Sequence, residues 1–317
     1  MENYNDIEGL RGPFAKLTND VAFGWIFGRN KDLLIALLNA FIPDRQITDV
    51  SLYKENQLPF SKEFKKSVFD VSCRTDDGSF IDVEVQVEGQ RHFADRCLYY
   101  STFNIQSQVE KGAEEYLLKP VYVISIDSFI RRHGDGWDGS VLTSYSLRED
   151  RCHELMTNAL HFIFIELPLF TKKSWGELDN DAERFYFCFN DLHRMDELPA
   201  GFGENGVFAK LAELARLNAM PAELKQKYIK DMTTEIDKRA QLKYAIETGL
   251  EEGLRKGLEQ GLEQGLARGE AIGMSKGEAK GRAEGRSEVA RALLQENIPI
   301  ETIAKTTGLS AEQIRAL

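Results

Sequence analysis

The stretch KSVFDVSCRTDDGSFIDVEVQVE, Lys66 to Glu88, decides the fold. It reads as a β-hairpin: two arms rich in β-branched and aromatic residues flank the turn signal Asp76-Asp77-Gly78. In the second arm Ile81, Val83, Val85 and Val87 point one way, and Asp82, Glu84, Gln86 and Glu88 the other. Loop length decides what meets what. A two-residue Asp77-Gly78 loop pairs Asp70 with Val85 and sends Asp70 and Glu84 to opposite faces. A three-residue loop, with Gly78 in the left-handed region, pairs Thr75 with Ser79 and sets Asp70 across from Glu84. Directly opposed Cβ atoms lie roughly 4.5–5.5 Å apart. Carboxylates that close repel unless a positive charge sits between them. The economical candidate is a divalent cation with oxygen ligands, Mg²⁺ or Mn²⁺. The competing reading is a solvated hairpin face.

Upstream, Thr18-Asn19-Asp20 supplies N-cap chemistry for a helix through Phe23, Ile26 and Phe27. Asp20 is a cap or first-turn acid, with a second possible use as an extra carboxylate in a cleft. Leu33 to Phe41 continues as helix, and Ile47 to Leu52 reads as a short strand. Downstream, Arg91 to Gly112 reads as a helix, with Arg96, Tyr99 and Tyr100 near its first half. Val121 to Ile126 is apolar enough for a buried strand, and His161 to Leu167 is another, stopped by Pro168. A helix crossing between the hairpin and the Val121 strand implies an α/β fold with a mixed sheet flanked by helices. Beyond Asp181 the chain reads as helical, apart from a Gly/Pro loop from Leu198 to Gly206. The lysines between Lys225 and Lys243 read as a solvated face.

Ten glycines, from Gly249 to Gly285, recur at every fourth residue among good helix formers. Each costs a helix roughly 1 kcal/mol against alanine. A four-residue period also drifts about 40° per repeat on a 3.6-residue helix. The segment reads as a marginal helix that firms up when paired, its glycines letting two backbones approach, or as a charged spacer. Ser287 to Leu317 closes the chain with three short helices in a helix-turn-helix-like pattern, too small for a strong core. Residues 1–200 thus form the core, 201–247 a helical extension, 248–286 the glycine tail and 287–317 the small module.

The net charge of −11 over 317 residues excludes a protein that coats nucleic acid electrostatically, but not an enzyme meeting DNA in one cleft. The four cysteines form no CxxC pair, which suits reduced thiols in a cytosol. A zinc set drawn from Cys152, His153, His161, Cys188 and His193 matches no usual spacing. The opening MENYNDIEGL lacks a basic-then-apolar export signal, and no run reaches the ~18 apolar residues of a membrane span. A cytoplasmic protein with no membrane partner is expected.

TNDVAFGWIFG, LLIALLNAFI, the hairpin, RCLYYSTF, KPVYVISI, FIFIELPLF and the GLEEGLRKGLEQG tail together resemble the PD-(D/E)xK nuclease superfamily. More closely they resemble its Rpn family of recombination-promoting nucleases and transposases. The resemblance implies a restriction-endonuclease-like core followed by a helical C-terminal region. It makes Asp70 and Glu84 metal-binding acids, puts Gln86 where most of the superfamily has lysine, and makes Arg96 a phosphate contact or a brace for an acid. Lys66, on the same strand face as Asp70, is available to compensate for the missing lysine. The implied function is a Mg²⁺-dependent DNA endonuclease, a homodimer, linked to recombination or mobile elements. The alternatives are a DNA-binding module or an oligomeric scaffold on a degenerate core.

Overall fold

The computed structural model describes residues 10–53, 69–109, 112 and 115–317. Lys66 and the approach to the hairpin lie outside them. The chain forms two compact units, Met1–Lys238 and Arg239–Leu317.

The first unit is built on a six-stranded mixed sheet in the order β1-β2-β3-β4-β6-β5. The strands are β1 (Val50–Leu52), β2 (Val71–Thr75), β3 (Phe80–Gln86), β4 (Val121–Asp127), β5 (Leu142–Ser146) and β6 (Leu160–Glu166). The hairpin β2–β3 is antiparallel, with Arg74 opposite Phe80 and Val71 opposite Val83. Its loop has three residues: the Thr75 N–H donates to the Ser79 carbonyl at 2.9 Å, and Gly78 takes φ +89°. A β-carbon is strained at that φ, so glycine suits the position. From β3 the sheet turns parallel through β4 and β6, and β5 closes the edge antiparallel.

One face of the sheet carries Val83, Val85, Ile124, Ile126, Ile163 and Ile165 into the main core. Helices α1 (Asp20–Ile26), α2 (Lys31–Phe41), α4 (Asp181–Asp191) and α5 (Gly206–Ala215) bring buried residues to the same core. The other face is covered by α3 (Phe93–Gln106), whose Phe93 and Cys97 pack on Phe69, Val123 and Phe164. All seven residues of β3 are buried, so the solvated-face reading of its acids is overturned.

Several boundaries differ from the sequence expectation for identifiable reasons. The first strand begins at Val50 because the Asn39 side chain holds both backbone groups of Ile47, at 2.7 and 2.9 Å. Helix α3 ends at Gln106, where the Ser107 N–H closes the last turn on the Phe103 carbonyl. Strand β5 lay hidden in LTSYS, an edge strand whose residues are at most half-buried. The lysine-rich helix and the glycine repeat belong to one helix, α6 (Ala222–Gln295). Its beginning is pinned in the first unit: Tyr228 is fully buried and its hydroxyl accepts the Lys16 N–H at 2.9 Å. In the second unit the end of α6 packs with α7 (Ile300–Thr307) and α8 (Ala311–Arg315) around Ala290, Ile303 and Ile314. Ser310 and Gln313 cap α8 reciprocally, and Gly308 turns the chain at φ +73°.

Candidate active site

The paired register of the hairpin ends at Val71–Val83, with Asp70 just ahead of β2 and Glu84 next along β3. Asp70 precedes β2 and is tied down across the hairpin: its Oδ2 accepts the Val85 N–H at 2.7 Å. Both carboxylates line one cavity of about 510 Å³. Asp20 reaches it from the first turn of α1, where Asn19 serves as the cap and accepts the N–H groups of Val21 and Ala22. Of the two roles foreseen for Asp20, cap or first-turn acid, it takes the second.

Arg96, on the first turn of α3, ties the other side together. Its guanidinium forms an ion pair with Glu84, donates to Gln86 Oε1 at 3.1 Å and donates to Gln90 Oε1 at 2.6 Å. Gln86 is fixed at both ends, its amide N–H donating to the Glu88 carbonyl at 2.8 Å. A positive group therefore stands beside Glu84 even though position 86 carries none.

The two acids are held differently: Glu84 pairs with the Arg96 guanidinium, and Asp70 accepts the Val85 backbone N–H. Burial, then the charge of Asp20, push the Asp70 pKa up to about 8, with the Val85 N–H and Arg96 opposing and Glu84 adding to the rise. Asp20 is raised too, by burial of its carboxyl and then by Asp231. The neighbouring acid Asp82, on the same face, is a structural one: Ser72 Oγ and Asn104 Nδ2 donate to its two oxygens at 2.6 and 2.5 Å.

Asp231, Thr234, Glu235 and Lys238 of α6 form a wall of the cavity. Sequence reasoning missed them and took this stretch as a solvated face. They lie around Tyr228 and Met232, whose burial docks this stretch of the helix. Asp127 and Glu166 were also missed. They sit in register beside Gln86 at the ends of β4 and β6, fully buried. The Arg131 guanidinium lies 3.8 and 3.6 Å from them and 3.6 Å over the Phe164 ring. Their sequence signal was a charge ending each of two apolar strands, VYVISID and LHFIFIE.

Among the described residues no three His, Cys, Asp or Glu side chains converge as a finished metal cage. The cavity nevertheless fits a cation. Its lining includes six acids, Asp20, Asp70, Glu84, Glu88, Asp231 and Glu235, against Arg96 and Lys238. Burial first, and then the charges of Asp20 and Glu84, raise the Asp70 pKa, and a bound cation would oppose all three. Oxygen donors of this kind suit Mg²⁺ or Mn²⁺ over softer metals.

Residues 17–245 match the model of the PD-(D/E)XK nuclease family transposase. The chain belongs to that family. Comparison with curated proteins and with solved structures returned no match. The matched range takes in Asp20, Asp70, Glu84, Gln86, Arg96 and the α6 wall, so this PD-(D/E)XK family domain extends past the sheet to include the start of the long helix. No helix among the described residues is long and apolar enough to cross a membrane.

Proposed function

We propose that this PD-(D/E)XK family protein is a metal-dependent DNA endonuclease serving recombination or mobile-element movement. Asp70 and Glu84 hold Mg²⁺, or Mn²⁺, with Asp20 as an accessory acid. The observation that supports the reading is that Asp70 and Glu84 line one cavity, with Arg96 beside Glu84. When bound, the cation lowers the pKa of its water and neutralises charge on the phosphate. The chain's own residues do the rest. Asp70 must shed its proton to take the ion, and the cation supplies the charge that makes this favourable. Arg96 is held by Gln86 and Gln90 where a phosphate oxygen would approach, and it carries the positive charge that lysine supplies elsewhere in the superfamily. Gln86 thus acts through Arg96, as its positioning residue.

The acting unit is a homodimer in the cytoplasm, where the free thiols at Cys73, Cys97, Cys152 and Cys188 stay reduced. Supercoiled plasmid incubated with Mg²⁺, Mn²⁺, Ca²⁺ or EDTA tests the chemistry. Cleavage is expected with Mg²⁺ and Mn²⁺ in wild type and none in Glu84→Ala. Cleavage in EDTA, or an active Glu84→Ala, would falsify this reading.

A further inference from the structure

Helix α6 carries a second periodic pattern that the cleft does not use. Leu242, Ile246, Leu250, Leu254, Leu258, Leu262 and Leu266 recur every fourth residue and are 55–76% exposed. Such a row of large apolar side chains on one helix marks an interaction surface. The pattern changes at Ala267. From there a row one residue further round the helix, Ala267, Ala271, Ser275, Ala279, Ala283 and Ser287, keeps the four-residue spacing with small side chains, and the large apolar residues thin to Ile272 and Met274. The charge changes at the same point. Residues 247–266 hold five acids and two bases, whereas 267–286 hold five bases and three acids.

We infer that α6 pairs with α6 of a second copy of this chain, antiparallel, each leucine half packing on the small-residue half of the other. Setting Leu258 opposite Ser275 makes six of the seven apolar residues face an alanine or serine, from Ile246 on Ser287 to Leu266 on Ala267, and puts Leu242 at the end of the pair beside Arg291. Large against small is the packing that fills an interface without overlap. The same register places Glu247, Glu251 and Arg255 opposite Arg286, Arg282 and Glu278. Glu263 opposite Glu270 is the one like-charged pair of that row. Parallel pairing would instead set leucine on leucine and the acid-rich half on itself, at an electrostatic cost. The chain cannot satisfy the pattern by folding back, because α6 is continuous through the boundary between the halves. A foreign helix would match only one half. The four-residue period exceeds 3.6, so the pair wraps with a right-handed twist.

This gives the homodimer of the proposed function its surface and orientation. It rests on that reading for the dimer alone and not for the chemistry. The test uses the full chain with the exposed Cys152 changed to serine. One sample carries Leu258→Cys and the other Ser275→Cys; the two are mixed and mildly oxidised. The mixed-chain disulfide should exceed either self-linked species by tenfold or more. A dominant Leu258→Cys self-link, or no cross-link, overturns the antiparallel register. Independently, Leu254→Asp with Leu258→Asp should weaken dimerisation by at least tenfold in sedimentation velocity, with the first unit still folded. An unchanged dimer overturns the surface. A dimer that cross-links as stated but never cuts DNA sinks the nuclease reading and leaves the pairing intact. A monomer that cuts does the reverse.

Discussion

Two stretches of this protein are periodic, and they come to opposite ends. In β3 the period is two, it matches the pleat of a strand, and all seven residues are buried inside one chain. In α6 the period is four, it mismatches the helix, and the residues from Gln241 to Arg286 are exposed. A period that fits its element is satisfied by the chain's own layers: isoleucines and valines on one face of the sheet, α3 over the acids on the other. A period that does not fit leaves a spiral of side chains that no single packed layer can cover. The first kind of pattern builds a site; the second calls for a partner.

The largest test of this contrast is inside the cleft. Glu84→Gln and Asp70→Asn should each lower plasmid cleavage by more than the ~10–100-fold seen for residues that only support a metal ligand. The two variants should part company in stability. Glu84→Gln abandons the Arg96 guanidinium, so its thermal midpoint should fall. Asp70→Asn removes a carboxylate raised by burial and by Asp20, so its midpoint in EDTA should hold or rise. Full activity in either variant moves the site elsewhere.

The pH dependence sharpens the same point. The Asp70 carboxyl titrates at about 8 in the folded protein, above its ordinary carboxylate value. Between those values the folded state binds more protons than the unfolded state, so metal-free stability falls as pH rises. The contribution is complete below the ordinary value and lost by the time pH passes about 8. Melting curves in EDTA from pH 4 to 9 should therefore slope downward less steeply for Asp70→Asn than for wild type. An identical slope would mean that Asp70 carries no uncompensated charge.

The hairpin was legible because its evidence is local. Asp76-Asp77-Gly78 fixes the loop, and the loop fixes the register of β2 on β3 up to Val71–Val83, beside Asp70 and Glu84, without knowledge of any distant residue. The order of helices and strands around it was legible for the same reason. What escaped was assembled at long range. Asp231 and Glu235 enter the cleft only because Tyr228 is buried against Lys16, more than two hundred residues earlier in the chain. Asp127 and Glu166 gain meaning only when β4 and β6 lie side by side with Gln86 in register. Arg96 was expected from the resemblance alone, and its tie to Gln86 joins α3 to β3, two elements whose packing no local signal gives.

A smaller effect is expected at Gln86. Gln86→Lys restores the residue usual in the superfamily but sets a second cation against Arg96 and drops the bond to the Glu88 carbonyl. Cleavage should fall by about tenfold, the low end for a supporting residue. Single-turnover rates at saturating Mg²⁺ measure it. Complete loss with normal metal binding would give the glutamine a role that positioning of Arg96 does not cover.

The smallest effect is in the tail, and it separates two accounts of the glycines. None of the ten has a neighbour within 4 Å of where a β-carbon would stand, so alanine fits every site in the single chain. Each replacement should strengthen the helix by roughly 1 kcal/mol. The accounts differ on the dimer. If backbones meet through the glycines, added methyl groups push the chains apart and the dimer is lost. If the leucine row meets the small-residue row, the glycines lie about 100° around the helix from the leucines, on the side away from the small-residue row. They then serve to keep the lone helix weak, so that it is stable chiefly when paired. Gly253→Ala with Gly257→Ala and Gly261→Ala should on this account raise far-UV helical signal and leave the sedimenting species a dimer. A monomer with more helix would return the interface to the glycines, as their spacing alone suggests.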